Sequence, residues 1–394
     1  MTVEEGAAPE SRPAGEAAPA TDDRPELQIR ELTLRDLAEA LADDSLWQGP
    51  VHPITRHRAL AQLKNPRADP DDVVLLIAYE KGEIVGYLGV LPDRVIAHGH
   101  ARKIGWASCW WVDPARAGMS GFLLLMRAMH AYPEGFGACG YTKEAAAVYD
   151  RMPQFQVFSE KQGVIGFFRL RGMVDLGADR LPRVRPFAPL LRVLASPLDW
   201  ALGLVQGTWA RRSLRRKALR FEYLPEIDDE AAAFIEDHRR DELLKRGKAE
   251  FDWMLRHPWI LRAPVPDRNA EKYAFSATAR DFHHFCCKVL DAKGAMIAVV
   301  ILRLRDGELS MPYAYWREGA EHEVVRALLL HAVATDCESF RLYNPTLVSC
   351  LKRYSYRLFL PIPATRRMVV TKRLARAEGL GRYIQDGDAD NGFT

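Results

Sequence analysis

Residues 110 to 129, WWVDPARAGMSGFLLLMRAM, join an aromatic, strand-like run to an apolar helix through a turn of small residues carrying one arginine. A helix that begins just after a strand leaves its first backbone N–H groups without internal partners, and its dipole adds positive potential at the same place. Ala115, Ala117, Gly118, Ser120 and Gly121 let an anion approach that backbone closely, and Arg116 adds a formal charge. This spacing suits retention of a phosphate or pyrophosphate; the same composition also suits a plain tight turn.

Groups able to move protons are scattered. Asp93, His98, His100 and Glu144 are the candidate bases in the first half of the chain, and no motif fixes any of them; Asp113, before Pro114, suits a turn cap. His98 and His100 are spaced to share one strand face, but no third ligand accompanies them. The six cysteines, Cys109, Cys139, Cys286, Cys287, Cys337 and Cys350, make no CxxC pair and no Cys/His ligand set, so reduced thiols and no metal site are expected.

The elements that must position these residues alternate in type. LQIREL reads as a strand, and DLAEALADD and HRALAQLKN as helices. The run from VVLLIAYE to CWWVDP reads as three strands, the first hairpin turning at Lys81-Gly82. Then come the helix FLLLMRAMHAY, a short GACGYT segment, the helix KEAAAVYDRM and a final strand pair ending in QGVIGFFRLR. The expected fold class is α+β, a mostly antiparallel mixed sheet flanked by helices.

The order of hairpin, VDP, small-residue turn, apolar helix, short strand, and a helix with Ala145 and Tyr149 ahead of Pro153 to Phe155 resembles the GNAT superfamily of N-acetyltransferases. The resemblance implies acetyl-CoA, or another acyl-CoA, as co-substrate. It implies that Arg116, Ala117, Gly118, Met119, Ser120, Gly121 and Phe122 cradle the pyrophosphate, that Cys109, Trp110, Trp111 and Val112 align the pantetheine arm, and that the Tyr149 hydroxyl protonates the departing thiolate. The family turn reads Arg/Gln-x-x-Gly-x-Gly/Ala; in ARAGMSG, Gly118 and Ser120 fit it with Ala115 at the first position.

The second half repeats the pattern. HHFCCKVLDAKGAMIAVVILRLRDGELSMPYAYW echoes the strand run, with Lys293-Gly294 matching Lys81-Gly82; EHEVVRALLLHAVATDCES echoes the apolar helix; FRLYNPTLVSCLKRYSYRLFLPIP echoes the short strand, second helix and final strands. This copy carries Glu318, Glu321 and Glu323 at its turn and Leu351 at the tyrosine position, so it is expected to lack cofactor binding and to serve as scaffold or acceptor wall, with Asp306, Glu308, Tyr313, Tyr315 and Asn344 as candidate acceptor contacts. Two tandem acetyltransferase-like units are expected: a disordered tail over 1–25, a first unit over 26–172, a helical segment over 173–222, a degenerate unit over 223–375 and a tail over 376–394. The tandem layout resembles proteins of bacterial exopolysaccharide gene clusters. Fem-type aminoacyl transferases share it but usually carry a coiled-coil arm, and no heptad run is seen.

Bulk properties agree. A chain of 394 residues with 48% hydrophobic and 27% charged residues is long enough for two domains. A net charge of +3 gives no reason to expect a nucleic-acid partner, and the acidic, polar start is no secretory leader, so a cytoplasmic protein is expected. Residues 183–221 are apolar in the middle and end in Arg211, Arg212, Arg215, Arg216 and Lys217. Pro186, Pro189 and Pro197 are expected to interrupt any spanning helix there, leaving an interdomain helix pair or a peripheral membrane contact. The function expected is acyl transfer from coenzyme A to an amine of a small-molecule or glycan acceptor, such as an amino sugar; a non-catalytic binding scaffold and a Fem-like aminoacyl transferase are the alternatives.

Overall fold

The computed structural model describes residues 27–116, 119–181, 183–217, 219–265 and 272–393. The tail expected over 1–25 lies outside them, as do Ala117 and Gly118. The first half forms β1 (Leu27–Thr33), α1 (Leu34–Asp43), α2 (Arg56–Leu63), β2 (Val73–Glu80), β3 (Glu83–Ala97), β4 (His100–Val112), α3 (Ser120–Ala131), β5 (Phe136–Cys139), α4 (Lys143–Arg151) and β6 (Phe155–Phe167). Helices α5 (Leu170–Arg180) and α6 (Ala188–Lys217) connect it to β7 (Arg220–Leu224), α7 (Asp229–His238), α8 (Lys248–Arg256), β8 (Leu261–Arg262), β9 (Thr278–Ala279), β10 (Phe282–Leu290), β11 (Met296–Arg305), β12 (Glu308–Trp316), α9 (Glu321–Ala334), β13 (Ser339–Leu342), α10 (Pro345–Leu351), β14 (Leu360–Thr371) and α11 (Lys372–Ala375).

Local chemistry accounts for the hairpins. Lys81-Gly82, His98-Gly99 and Asp306-Gly307 are two-residue loops with positive φ at both positions (52° and 81°, 51° and 78°, 47° and 80°), the geometry whose twist matches that of paired strands. His98 therefore occupies a turn rather than a strand face shared with His100. Thr33 caps α1 in a reciprocal box with Asp36, and the Thr142 hydroxyl accepts the Ala145 N–H at the start of α4.

All strands but the short β8–β9 pair form one sheet of 12 strands, in the order β1-β2-β3-β4-β5-β14-β6-β13-β12-β11-β10-β7. Only β4 with β5 and β12 with β13 run parallel in it. The mostly antiparallel α+β architecture is as the sequence implies, but the two repeats do not end where they were expected to. The strand expected to close the first unit as a pair is the single strand β6, and it lies between β13 and β14; β14 in turn lies between β5 and β6. Each repeat gives its last strand to the other.

Two more expectations change. Helix α6 runs 30 residues without interruption, with Pro197 inside it. Pro189 sits in its first turn, where a missing N–H costs nothing. The segment after α11, expected as a tail, is core: Ala389 and Phe393 are fully buried, and Phe393 stacks on Trp259 with ring centroids 4.9 Å apart. Glycine permits its course, because a Cβ at Gly387 would lie 2.4 Å from the Tyr313 ring and one at Gly381 2.1 Å from the Glu242 carbonyl oxygen.

Candidate acyl-transfer site

Strands β4 and β5 are paired only at Gly105↔Phe136 and Trp106↔Gly137. Beyond that point β5 pairs with β14 on its other side, and β4 continues to Val112 with this edge unpaired. The register of β4 against β3 slips by one residue between Leu88 and Gly89, leaving Cys109 as the extra residue of a bulge with φ of 55°. A wedge results, with a cavity of about 320 Å³ lined by Ala107 to Trp110 of β4, Ala138 and Cys139 of β5, Gly140 to Thr142 after it, and Ala145 and Tyr149 of α4. Buried polar atoms near it, Trp110 Nε1, Tyr141 Oη and Ser120 Oγ, have no hydrogen-bond partner. An extended polar chain lying between the strands would meet backbone groups and these donors together.

Tyr149 is buried against Trp110, Tyr141 and Phe155, at ring distances of 5.9, 5.1 and 5.0 Å. Burial raises its pKa, so the phenol stays protonated and able to donate. Cys109 and Trp110 line the same cavity. Trp111 does not; it points to the opposite sheet face and packs on Tyr87 at 5.3 Å, as strand alternation requires. Val112 packs beside Gly121, whose Cβ would lie 3.0 Å from it, while Met119 and Phe122 are exposed at the start of α3.

Helix α3 begins at Ser120 with no side-chain cap among the described residues. Arg116, however, is not a free cation: it pairs with Glu83 at 2.5 Å, with Glu80 and Asp113 each at 4.0 Å, so its charge is already countered. The second repeat differs at the equivalent turn. Glu321 accepts from Trp316 Nε1 at 3.2 Å and from the Gly319 N–H at 3.4 Å, filling the start of α9 with the chain's own carboxylate.

The wedge of the second repeat is filled as well. Pairing of β12 with β13 stops at Ser310, and the C-terminal segment enters there: Gly387 N–H donates to Pro312 O at 2.7 Å, Gln385 Nε2 to Ala314 O at 3.3 Å, and Asp386 accepts the Tyr343 N–H at 2.9 Å. Tyr313 and Tyr315 are therefore buried under this segment, and Asn344 caps α10; none faces an acceptor. Leu351, at the tyrosine position, is buried core.

Having closed one wedge, the segment delivers a carboxylate to the other. Asp390 lines the cavity that holds Tyr149, together with Arg58, Trp259 and Tyr273. Burial pushes its carboxyl up to about 6, against the pull of Arg58. Arg58 is held by Tyr273 Oη at 2.9 Å, by Ser108 Oγ and by Cys109 Sγ, and lies 3.9 Å over the Trp259 ring. A carboxyl whose pKa burial raises and a protonated phenol thus share one cavity. The bases suggested by the sequence are elsewhere. Asp93 is buried in ion pairs with Arg67 at 2.8 Å and Arg246 at 3.1 Å; His100 and Glu144 are exposed.

A second cavity of about 710 Å³ opens beside the first and shares Gly140, Tyr141, Thr142 and Arg305 with it. Its walls carry Lys143, Arg303, Arg305, Arg341, Arg366 and Arg367 against Asp306 and Glu308. Burial lowers the pKa of Arg303, opposed by Glu308 and reinforced by Arg366, Arg305 and Arg341. The Nε atoms of Arg303 and Arg341 are buried without hydrogen-bond partners, while Arg367 Nε lies 3.3 Å from a Glu160 carboxylate oxygen. No metal-binding group of His, Cys, Asp and Glu occurs among the described residues.

No family model matches the sequence, and no curated protein matches it. Among solved structures, the chain is similar to a conserved protein of unknown function from Enterococcus faecalis V583 described as a probable N-acyltransferase, at 10% identity and a TM-score of 0.49, over 89% of this chain and 73% of that one. It is similar to Saccharomyces cerevisiae N-myristoyltransferase with bound myristoyl-CoA, at 10% identity and a TM-score of 0.48, over 97% and 90%. It is also similar to a tandem GNAT protein from the clavulanic acid biosynthesis pathway, at 14% identity and a TM-score of 0.46, over 88% and 99%.

Proposed function

We propose that the protein is an acyl-CoA-dependent N-acyltransferase with one active site, in the first repeat, and an acceptor amine borne on an anionic carrier. An amino sugar with phosphate or carboxylate groups, of the kind built into surface polysaccharides, is such an acceptor. The observation that carries the reading is the open wedge between β4 and β5 with Tyr149 and Asp390 in the same cavity. The open strand edge and the uncapped start of α3 suit a pantetheine arm and its pyrophosphate, and the arginine-rich basin suits the acceptor's charge.

The chemistry assigned to the chain's own residues is proton transfer and positioning. Asp390 accepts a proton from the attacking amine as its nitrogen bonds to the thioester carbonyl carbon, and Tyr149 gives its proton to the sulfur as the carbon–sulfur bond breaks. The bulge at Cys109 leaves backbone groups of β4 unpaired beside the reacting carbonyl.

The test is release of free coenzyme A from acetyl-CoA in the presence of amines of graded negative charge. Turnover should favour anionic acceptors and lose that preference in high salt. Tyr149→Phe should lower kcat by about 100-fold or more with its melting temperature retained. Equal turnover by Tyr149→Phe, or preference for cationic amines, would remove the corresponding assignment.

A further inference from the structure

Helix α6 is built inside out. Its fully buried positions are small or polar, namely Ala188, Ala195, Asp199 and Gln206, and toward its C-terminal end Trp209 packs on Tyr354 at 5.8 Å. Asp199 accepts the N–H groups of Leu170 and Arg171 at the start of α5, and Gln206 donates to the carbonyls of Phe168 and Leu358. The opposite face is apolar and bare. Leu190, Val193, Leu194, Leu198, Trp200 and Leu204 are each at least half exposed, Trp200 at 70%. A helix that rests on a protein in water carries the reverse pattern.

Charge says what covers this face. Residues 183–217 contain eight basic side chains and a single acid, and that acid, Asp199, is the buried one. Arg183 and Arg185 precede the apolar face, and Arg211 and Arg212 come after it. Two copies meeting here would bring like charges together, whereas an anionic surface is complementary. By length and composition the helix is long enough to cross a bilayer, with 17% of its apolar window buried. It cannot stand upright in one, because its C-terminal end is held on the body: Arg326 of α9 donates to Ser213 Oγ at 3.1 Å and to Ser213 O at 2.7 Å. The third guanidinium nitrogen of Arg326, Nη1, is buried without a partner beside a cavity of about 930 Å³ that Trp209, Arg212, Arg353 and Arg357 also line.

We propose that α6 docks the protein on an anionic lipid bilayer, lying in the interface with its apolar face in the acyl boundary and with Arg212, Arg326, Arg353 and Arg357 drawing a lipid phosphate into the cavity at its end. Its arginines stay at headgroup level while the leucines and Trp200 sit below. The proposal is independent of the acyl-transfer reading.

The test is co-sedimentation of the full chain with vesicles of phosphatidylcholine alone and of phosphatidylcholine with one quarter phosphatidylglycerol, at low and high salt. The protein is expected to pellet with the anionic vesicles, less so in high salt and less with phosphatidylcholine alone. Leu194→Glu and Leu198→Glu are each expected to weaken partitioning by about tenfold or more, with melting temperatures unchanged because both positions are exposed. Wild-type protein that stays in the supernatant with anionic vesicles would overturn the proposal, as would variants that bind as tightly as wild type. Self-association that the same variants abolish, with no vesicle binding, would assign the face to a second copy instead.

Discussion

In the proposed reaction Asp390 and Tyr149 divide the proton work between them, because burial acts on each in the same direction but from different starting points. It carries a carboxyl into the range where it exchanges protons near neutrality, and keeps a phenol firmly protonated. The activity of the wild type should therefore rise with pH through an apparent pKa near 6, as Asp390 ionises. Asp390→Asn should flatten that limb in a pH profile of kcat/KM. Its neighbour Asp388 tests burial without chemistry. Burial pushes Asp388 up to about 8, opposed by Arg246, from an ordinary value of 3.8. The folded state then binds the proton more tightly than the unfolded chain, so this residue's contribution to stability is fully present below about 4 and is lost as pH rises toward 8. Melting curves of wild type and Asp388→Asn across that window should converge at low pH and separate at high pH, the variant being the more stable. Tyr149 was legible in the sequence because strand, helix and tyrosine lie in one local run. Asp390 was not, because its place depends on a chain return from the far end of the molecule, with no local periodicity to announce it.

At the scale of elements, sequence patterning revealed the hairpins and the helices, since a two-residue turn and an apolar period are both local. It missed the continuity of α6. Three prolines argued for a break, yet one falls in the first turn and Pro197 is held within the helix. It also missed the last segment, where Gly379, Gly381 and Gly387 within a polar run read as a tail although they are what lets that run pass through the core. Phe393, fully buried and stacked on Trp259, should cost about 3–5 kcal/mol on replacement by alanine, read as a lowered midpoint in denaturant. The buried ion network has a comparable role. Asp93→Ala would leave Arg67 and Arg246 without their shared partner, and about 3–5 kcal/mol of destabilisation is expected.

For the whole molecule, the exchange of final strands makes two repeats into one sheet, so that β6 completes the second repeat and β14 the first. Neither half buries its own edge. Residues 27–180 expressed alone should fail to give a cooperative thermal transition, and the full chain should melt with both halves together, measured by circular dichroism. The internal repeat was visible in the sequence; the exchange was not, because a strand's pattern shows which face is buried and not which neighbour it pairs with. The two similar repeats differ at their wedges for a separate reason. The C-terminal segment closes the second wedge, Glu321 occupies the second helix start, and the chain ends by placing Asp390 in the first.

The most direct test is calorimetric titration of the full chain with acetyl-CoA, beside Ala145→Trp, which fills the open wedge from the partly exposed face of α4. One site per chain in the wild type, absent from a variant that melts normally, is the predicted result. Two sites per chain, or undiminished binding by Ala145→Trp, would contradict a single acyl-CoA site between β4 and β5.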